Sequence, residues 1–119
     1  MDKLSVILIT RNEQANIERC LKSILPIADE IVVVDSGSTD ATQYICSKYS
    51  VRWHSCEWKG FGEQKNYANS LATYDYVFSI DADEELSPQL CESIRTAKIE
   101  GFSGIYSMNR LARYANRWI

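Results

Sequence analysis

Short apolar runs of strand length recur along the chain, and each ends abruptly at polar residues. Runs of this kind, bounded by polar or turn-forming residues, are typical of buried β-strands. They predict strands at Ser5–Ile9, Ile31–Val34, Val51–Ser55 and Tyr76–Ile80. The second run holds four consecutive β-branched residues, which favours a central strand that is covered on both faces, as in a parallel sheet.

Helical periodicity fills the intervals between these strands. The first helix is expected to have Asn12 as its N-cap, a residue type favoured there, and to end at Pro26. The second is expected to be capped by Thr39 or Asp40 and to extend to about Tyr49. The apolar positions of the first helix are Ile17, Leu21, Ile24 and Leu25.

The second half of the chain continues the same alternation. A loop that contains Trp58, Gly60, Phe61 and Gly62 leads into a third helix. Its predicted apolar face is formed by Tyr67, Ala68, Leu71 and Ala72. The fourth helix is expected to be capped by Ser87, with Pro88 at its first position, where proline is favoured. Its apolar positions are Leu90, Ile94 and Ala97. From Ser103 we expect another short strand and then an amphipathic run.

Strands that alternate with helices through short connections predict an α/β fold with a mainly parallel sheet and flanking helices. The length of 119 residues allows one ordinary domain with a single core, spanning residues 1–119. Apolar residues make up 45% and charged residues 24% of the chain, which excludes collagen-like, low-complexity and wholly disordered proteins.

Net charge and the absence of targeting signals bear on the functional class of the protein and on its location in the cell. The net charge of −3 argues against a general nucleic-acid binder. No window approaches about 18 apolar residues, and the apolar run before Thr10 is too short for a signal peptide, so a cytoplasmic protein is expected. Arg110, Arg113 and Arg117 share one helical face and would allow peripheral contact with an anionic membrane, although an interrupted element is the simpler interpretation.

The cysteines follow neither a CxxC pattern nor a zinc-site spacing. They are Cys20, Cys46, Cys56 and Cys91. Reduced, partly buried thiols are therefore expected.

Polar clusters directly follow three of the predicted strands. They are Thr10–Glu13, Asp35–Ser38 and Asp81–Asp83. The carboxyl ends of parallel strands meet along one edge of a sheet, where α/β proteins bind ligands. Helices that begin at this edge add N–H groups suited to a phosphate. We therefore expect the carboxylates of Asp35, Asp81, Asp83 and Glu13 to approach one crevice.

Carboxylates near a phosphate repel it unless a cation lies between them. Mg²⁺ or Mn²⁺ takes oxygen ligands and commonly keeps substrate phosphates in its shell, so the Asp81-Ala82-Asp83 sequence is a candidate for bridging a cation to a diphosphate. A solvated acidic loop that caps the following helix is the alternative. Asp35 has a comparable alternative, because it would equally serve as a helix cap.

Other candidate residues leave two interpretations open. Lys65 would either reach a phosphate in the crevice or lie on the surface. His54, beside Trp53 on a predicted strand, is expected to serve packing, because no second residue suggests a nucleophilic triad. Trp53, Trp58 and Phe61 are most simply core and loop anchors, with stacking on a base or a sugar as the alternative.

Four segments together resemble a known family. In this order and spacing, the chain carries SVILITRNEQANIERCLKSI, IVVVDSGSTDAT, GFGEQKNYA and DYVFSIDADEELSP. They closely resemble family 2 glycosyltransferases, and within these the bacterial enzymes that add a hexose to the lipopolysaccharide core. The resemblance extends from Leu4 to about Ile119.

The resemblance implies a GT-A fold, a Rossmann-like sheet that binds a nucleoside-diphosphate sugar, usually a UDP-sugar, and transfers the sugar with inversion. It also implies a Mn²⁺ or Mg²⁺ ion and a saccharide or lipid-linked saccharide acceptor. By the same resemblance, the nucleotide-sugar pocket would be lined by Thr10, Asn12 and Glu13, with Asp35 at the uracil or ribose and Lys65 near the diphosphate. Asp81 would bind ribose and metal, and Asp83 would be the principal metal ligand.

In this family the base that accepts the acceptor's proton comes from a later segment. It is therefore expected beyond Ile119, and neither Glu84 nor Glu85 is assigned to that role. The chain would then be the donor-binding half of such an enzyme, truncated at its C-terminal end, binding UDP weakly and inactive in transfer by itself. An uncovered sheet edge in such a half would favour self-association.

Two other classes stay open. One is a non-catalytic nucleotide- or partner-binding module derived from such an enzyme. The other is a phosphoacceptor signalling domain, which would need an acidic pair after the first strand. The sequence there is Thr10-Arg11-Asn12 instead.

Overall fold

A computed structural model describes residues 2–101 as a four-stranded parallel sheet flanked by helices. The strands are β1 (Leu4–Thr10), β2 (Glu30–Asp35), β3 (Val51–Ser55) and β4 (Tyr76–Ser79). The helices are α1 (Ile17–Ile24), α2 (Thr42–Cys46), α3 (Phe61–Leu71) and α4 (Pro88–Glu100). The strand order is β3-β2-β1-β4, and all three of these pairings are parallel. The predicted α/β class is therefore confirmed.

The sheet is covered on both faces, as the β2 sequence predicts. Ile31 and Val33 pack into the larger core with α1 and α4, while Val32 and Val34 pack on the opposite face with Ala68 of α3. All four of these side chains are buried, because alternate residues of a strand point to opposite faces and both faces are covered. The order of strands reverses between β1 and β4, which is where α/β sheets commonly open a ligand crevice.

The first helix begins later than its predicted cap. Asn12 is not the N-cap of α1, which starts at Ile17 with Asn16 at the cap position. Asn12 instead has a φ of 53°, a left-handed conformation that asparagine tolerates better than most residues. Ile17, Leu21 and Ile24 are buried as predicted, but Leu25 lies beyond the helix end and is exposed.

The second helix is shorter than predicted, ending at Cys46 rather than near Tyr49. Tighter turns continue the chain to Tyr49, whose N–H donates to the Cys46 carbonyl. The cap position is occupied by Ala41 rather than Thr39 or Asp40. The Asp40 carboxylate nevertheless accepts the N–H of Thr42, the first helical residue.

The third helix begins at Phe61, a residue predicted to lie in the preceding loop. Its buried residues are Gln64 and Ala68. Tyr67 is exposed, and Ala72 follows the helix, so the predicted face was only partly right. A prediction from apolar residues alone did not include Gln64, a polar residue whose side chain is buried.

The fourth helix has the predicted start. The Ser87 hydroxyl accepts the N–H of Leu90 at 3.1 Å, and Pro88 is the first helical residue. Its predicted apolar positions, Leu90, Ile94 and Ala97, are buried. The strand expected from Ser103 and the arginine-bearing run after it lie outside residues 2–101. Within those residues, no helix combines the length and apolar character needed to cross a membrane.

Two polar networks fasten the amino edge of the sheet. The Lys98 ammonium, on α4, donates to the Ile27 carbonyl at 2.8 Å and to Asp29 at 2.6 Å, and Asp29 also accepts the Leu4 N–H. A second network surrounds Glu30 at the start of β2. Both lie at the opposite end of the strands from the polar clusters.

Candidate nucleotide-sugar site

The loops that follow β1 and β2 are joined to each other by hydrogen bonds. The Asn12 N–H donates to the Ser38 hydroxyl at 2.8 Å, and the Asn12 side-chain oxygen accepts the Thr39 N–H at 2.8 Å. The Glu13 N–H donates to the Thr42 hydroxyl at 2.9 Å. These side chains are therefore used to fix the two loops, which explains the left-handed turn at Asn12.

Asp35 lies beneath this edge and not at its surface. Only 3% of the residue is exposed. One of its oxygens accepts the hydroxyls of Thr10 and Ser38, and the other accepts the N–H groups of Gly37 and Ser38. Four donors occupy the normal hydrogen-bonding capacity of a carboxylate. None of them belongs to α2, so Asp35 stabilises the loop after β2 and does not cap the next helix.

A pocket of about 300 Å³ opens above Asp35 at the carboxyl ends of β1 and β2. Its lining includes Thr10, Arg11, Glu13, Ser36, Trp58 and Phe61. Two of the predicted pocket residues, Thr10 and Glu13, therefore lie together, whereas Asn12 and Asp35 are not in the lining. An adjoining pocket of about 440 Å³ shares Ser36 and Trp58 with the first.

The aromatic residues divide into two groups. Trp53 on β3 packs against the core, and its neighbour His54 is half-buried on the same strand, as expected for packing. Trp58 and Phe61 are exposed, so neither is a core anchor, although their rings contact each other where the loop before α3 meets the helix. Burial could not be read from their type, because an aromatic residue in a glycine-containing loop suits either a core or a ligand surface.

Asp81 and Asp83 follow β4 on the far side of β1. Both are exposed, and they flank Ala82, which is buried in the core. Two reciprocal hydrogen bonds hold this turn. The Asp81 N–H donates to the Glu84 carboxylate at 3.0 Å, and the Glu84 N–H donates to the Asp81 carbonyl at 2.9 Å. Ser87, not this acidic cluster, caps α4, so the helix-capping interpretation is wrong.

Glu84 differs from the two aspartates in its surroundings. It is half-buried, and burial raises the pKa of its carboxyl above the usual value. The neighbouring charges of Asp81 and Asp83 and a side-chain hydrogen bond with Asp81 raise it further, while the backbone hydrogen bond lowers it. Asp81 and Asp83 are thus more exposed than Glu84.

The two aspartates fit a cation that takes only part of its shell from the protein. Among residues 2–101, no three His, Cys, Asp or Glu side chains converge into a self-sufficient metal site. Mg²⁺ and Mn²⁺ do not require one, because they are commonly held by one or two carboxylates together with waters and substrate phosphates. Two exposed carboxylates on one turn match that chemistry.

Lys65 and Gln64 occupy the first turns of α3. Lys65 is half-buried, and in the part of the chain that the structure describes it is in none of the ion pairs. Gln64 is 1% exposed; its oxygen accepts the Cys56 thiol, and its side-chain nitrogen has no hydrogen-bond partner. The structure therefore places a cation and an unsatisfied donor at the start of this helix.

A larger cavity lies elsewhere in the part of the chain that the structure describes. A groove of about 830 Å³ lies between α1 and the start of α4 and includes Arg19, Lys22 and Glu85. It contains none of the residues predicted to bind a nucleotide sugar. We favour the smaller pocket as the functional site, because it lies at the strand ends and combines convergent polar groups with aromatic walls.

Comparison with known proteins identifies the family of the chain. The sequence model described as Glycosyl transferase family 2 matches residues 5–118. The chain belongs to glycosyl transferase family 2. Among curated relatives of this family 2 chain, an uncharacterized glycosyltransferase of Rickettsia felis is 44% identical over 94 residues, covering 79% of this chain and 33% of that protein.

A second relative carries a more specific description. The lipopolysaccharide core biosynthesis glycosyltransferase LpsC of Rhizobium meliloti is 39% identical over 94 residues, covering 75% of this chain and 34% of that protein. The family 2 chain thus spans about a third of the length of these curated relatives.

A solved structure supports the fold. Glucosyl-3-phosphoglycerate synthase from Mycobacterium tuberculosis, in complex with Mn²⁺, UDP and glucosyl-3-phosphoglycerate, superposes with a TM-score of 0.69 at 29% identity. The match covers 84% of this chain and 40% of that one. The expected GT-A fold is therefore confirmed.

Proposed function

We propose that this chain binds a UDP-sugar with a divalent cation and is the donor-binding part of an inverting glycosyltransferase of cell-envelope glycan synthesis. The observation that carries the proposal is the shared position of the site residues. Thr10, Glu13 and Ser36 line one pocket at the carboxyl edge of β1 and β2, and the exposed residues Asp81 and Asp83 follow β4 at the same edge.

The choice of a UDP-sugar as the donor rests on the chemistry of the pocket and on the likeness to a solved structure. A pocket with a cationic side chain, hydroxyls and nearby paired carboxylates suits a nucleotide whose phosphates are neutralised by a cation. The related mycobacterial synthase binds UDP and Mn²⁺ in a structure of the same fold. A role in lipopolysaccharide core synthesis is proposed from the likeness to LpsC.

Each site residue then has a proposed role. Thr10 and Glu13 line the nucleotide pocket, Asn12 fixes the loop around it, and Lys65 is directed to the diphosphate. Direct contact of Asp35 with uracil or ribose would require it to exchange one of its four protein hydrogen bonds. Its larger contribution is to hold the loop that carries Ser36.

The proposed reaction breaks the bond between the anomeric carbon and the diphosphate oxygen and forms a bond from that carbon to an acceptor oxygen on the opposite face. Asp83, assisted by Asp81, would hold the Mn²⁺ or Mg²⁺ ion. When bound, the ion supplies Lewis-acid stabilisation of the negative charge on the departing diphosphate. The acceptor hydroxyl gives its proton to a base, a role that we assign to none of residues 2–101.

Calorimetric titration of UDP, with and without Mn²⁺, tests the proposal. We expect binding that requires Mn²⁺, is lost in Asp83→Ala and is retained in Asp75→Ala. Asp75 is a matched control, because its carboxylate is also exposed but precedes β4 at the opposite edge of the sheet. Absence of UDP binding by the folded wild-type chain, or wild-type binding by Asp83→Ala, would overturn it.

A further inference from the structure

Trp58 and Phe61 form an exposed aromatic pair at the edge of the nucleotide pocket. Their ring centroids are 5.1 Å apart, and the ring planes meet at 88°. Trp58 is 44% exposed and Phe61 69% exposed. Gly60 lies between them with a φ of 100°, a conformation that favours glycine, and the turn there brings the loop of Trp58 beside the first residue of α3. We call this pair the aromatic wall.

The aromatic wall faces polar groups across a confined space. The pocket that it lines also includes Thr10, Arg11 and Ser36. Such a pocket suits a flat ligand with apolar faces and hydrogen-bonding edges. A nucleobase has this character, and bases stack readily on aromatic side chains and on the guanidinium plane of arginine. Because the two rings are perpendicular, a base stacked on one ring presents its edge to the other.

The position of the aromatic wall favours a base over an acceptor sugar as the group that it binds. Trp58 follows β3, Ser36 follows β2 and Asp81 follows β4, in a sheet ordered β3-β2-β1-β4. Strands in a sheet lie about 4.8 Å apart, so β3, which leads to the aromatic wall, is about 14 Å from β4, which leads to the aspartates. This spacing leaves room for a ribose and two phosphates between a base and the cation. An acceptor sugar, by contrast, must lie beside the transferred sugar beyond the cation.

We propose that the aromatic wall of Trp58 and Phe61 recognises the base of the donor nucleotide by stacking and so sets the affinity for the nucleoside end of the donor. This inference rests on the proposed donor-binding function. It assigns to these two residues a contact that is separate from the contacts to the diphosphate and the cation.

The test compares UDP with inorganic pyrophosphate as calorimetric probes, both in the presence of Mn²⁺. The variants are Trp58→Leu and Phe61→Leu in the full chain, with Tyr44→Leu as the control. Tyr44 is an exposed aromatic residue on α2 that is in neither pocket lining. Far-UV circular dichroism of each variant verifies that it is folded.

We expect Trp58→Leu to weaken UDP binding about 10-fold or more, because stacking of one base contributes on that order. Phe61→Leu should weaken it less, since the more exposed ring offers less enclosed contact, and Tyr44→Leu should not change it. Pyrophosphate binding should be equal in all four proteins. If UDP binds Trp58→Leu and Phe61→Leu as tightly as wild type, the inference is wrong while the proposed function stands. If wild type binds neither probe, the proposed function fails and takes the inference with it.

Discussion

The buried hydroxyl of Thr10 donates to the carboxylate of Asp35 across the β1–β2 pair at a distance of 2.8 Å. The two residues are register partners at the last position of the parallel ladder. Asp35 also accepts from Gly37 and Ser38, so a single carboxylate fixes the end of β1 and the loop after β2. The floor of the pocket at the ends of β1 and β2 is therefore built from one shared hydrogen-bond network.

Substitutions of Asp35 should separate its structural role from ligand contact. Asp35→Ala leaves four donors without their acceptor, and we expect it to lower the free energy of unfolding by about 3 kcal/mol or more. Asp35→Asn should cost about 1 kcal/mol, because the hydroxyls of Thr10 and Ser38 can reverse and accept from the new amide. Urea unfolding measures both. Unchanged stability in Asp35→Ala would contradict the network and return Asp35 to a direct role in ligand binding.

The Lys98–Asp29 pair should contribute far more to stability than the surface pair of Lys48 and Glu18. Lys98 is 6% exposed and joins α4 to the segment before β2, so Lys98→Met leaves the Asp29 carboxylate and the Ile27 carbonyl without this donor. We expect a loss of about 2–3 kcal/mol in the free energy of unfolding, somewhat below a fully buried pair because Asp29 is partly exposed.

The matched control for this prediction is Lys48→Met. Its ammonium lies 3.7 Å from Glu18, and both side chains are well exposed. Exposed pairs contribute about 0–1 kcal/mol. Equal losses in the two variants, measured by urea unfolding, would show that burial of Lys98 contributes nothing.

Glu30 should make the fold sensitive to acid. Burial is the largest single influence on its carboxyl and raises the pKa, but hydrogen bonds from Thr73, Ser5 and Arg52 together outweigh it and lower the pKa from 4.5 to about 2. A folded-state pKa below the unfolded one gives stability that is complete above pH 4.5 and is lost as the pH falls towards 2.

Thermal unfolding between pH 6 and pH 2 measures this effect. We expect Glu30→Gln to be less stable than wild type near neutral pH, by on the order of 2–3 kcal/mol, and to lose less stability than wild type on acidification. Glu100→Gln is the control, because Glu100 is exposed at the end of α4. Parallel pH profiles for wild type and Glu30→Gln would refute the assignment.

The spacing of apolar residues and the residue types predicted the sheet, because the signals for strands and helices lie within short segments of sequence. The run Ile31–Val34 predicted a strand buried on both faces, and Ser87 with Pro88 predicted the start of α4. Asn12 was misassigned because its partners, Ser38 and Thr39, are 26 and 27 positions away. A residue type suited to a cap equally suits a contact between loops, and local sequence does not distinguish them.

The same reason limits prediction of the site. Thr10 and Glu13 were expected in the pocket because they follow β1, and they line it. Ser36 was not distinguished from its charged neighbour Asp35. Asp35 is the last residue of β2 and is buried, whereas Ser36 follows the strand end and lines the pocket. Exposure of Trp58 and burial of Gln64 depend on how α3 lies on the sheet, which no pattern within that segment specifies.

Cysteine labelling should report on the pocket without any substitution. Burial is the main cause that raises the pKa of Cys20 to about 12 and that of Cys46 to about 11, so few of these thiols are reactive thiolates at pH 8. Cys56 is half-buried in the lining shared with Ser36 and Trp58, whereas Cys91 lies in the groove beside α1. Iodoacetamide labelling followed by mass spectrometry should therefore modify Cys56 and Cys91 well before Cys20 and Cys46.

Ligand protection extends this prediction to function. UDP with Mn²⁺ should slow labelling of Cys56, because a nucleotide against Trp58 restricts access to the adjoining thiol. Labelling of Cys91 should not change, which makes it an internal control in the same sample. Equal slowing at both cysteines would indicate a general tightening of the fold, and no slowing at Cys56 under saturating UDP would place the nucleotide away from the β2 and β3 ends of the sheet.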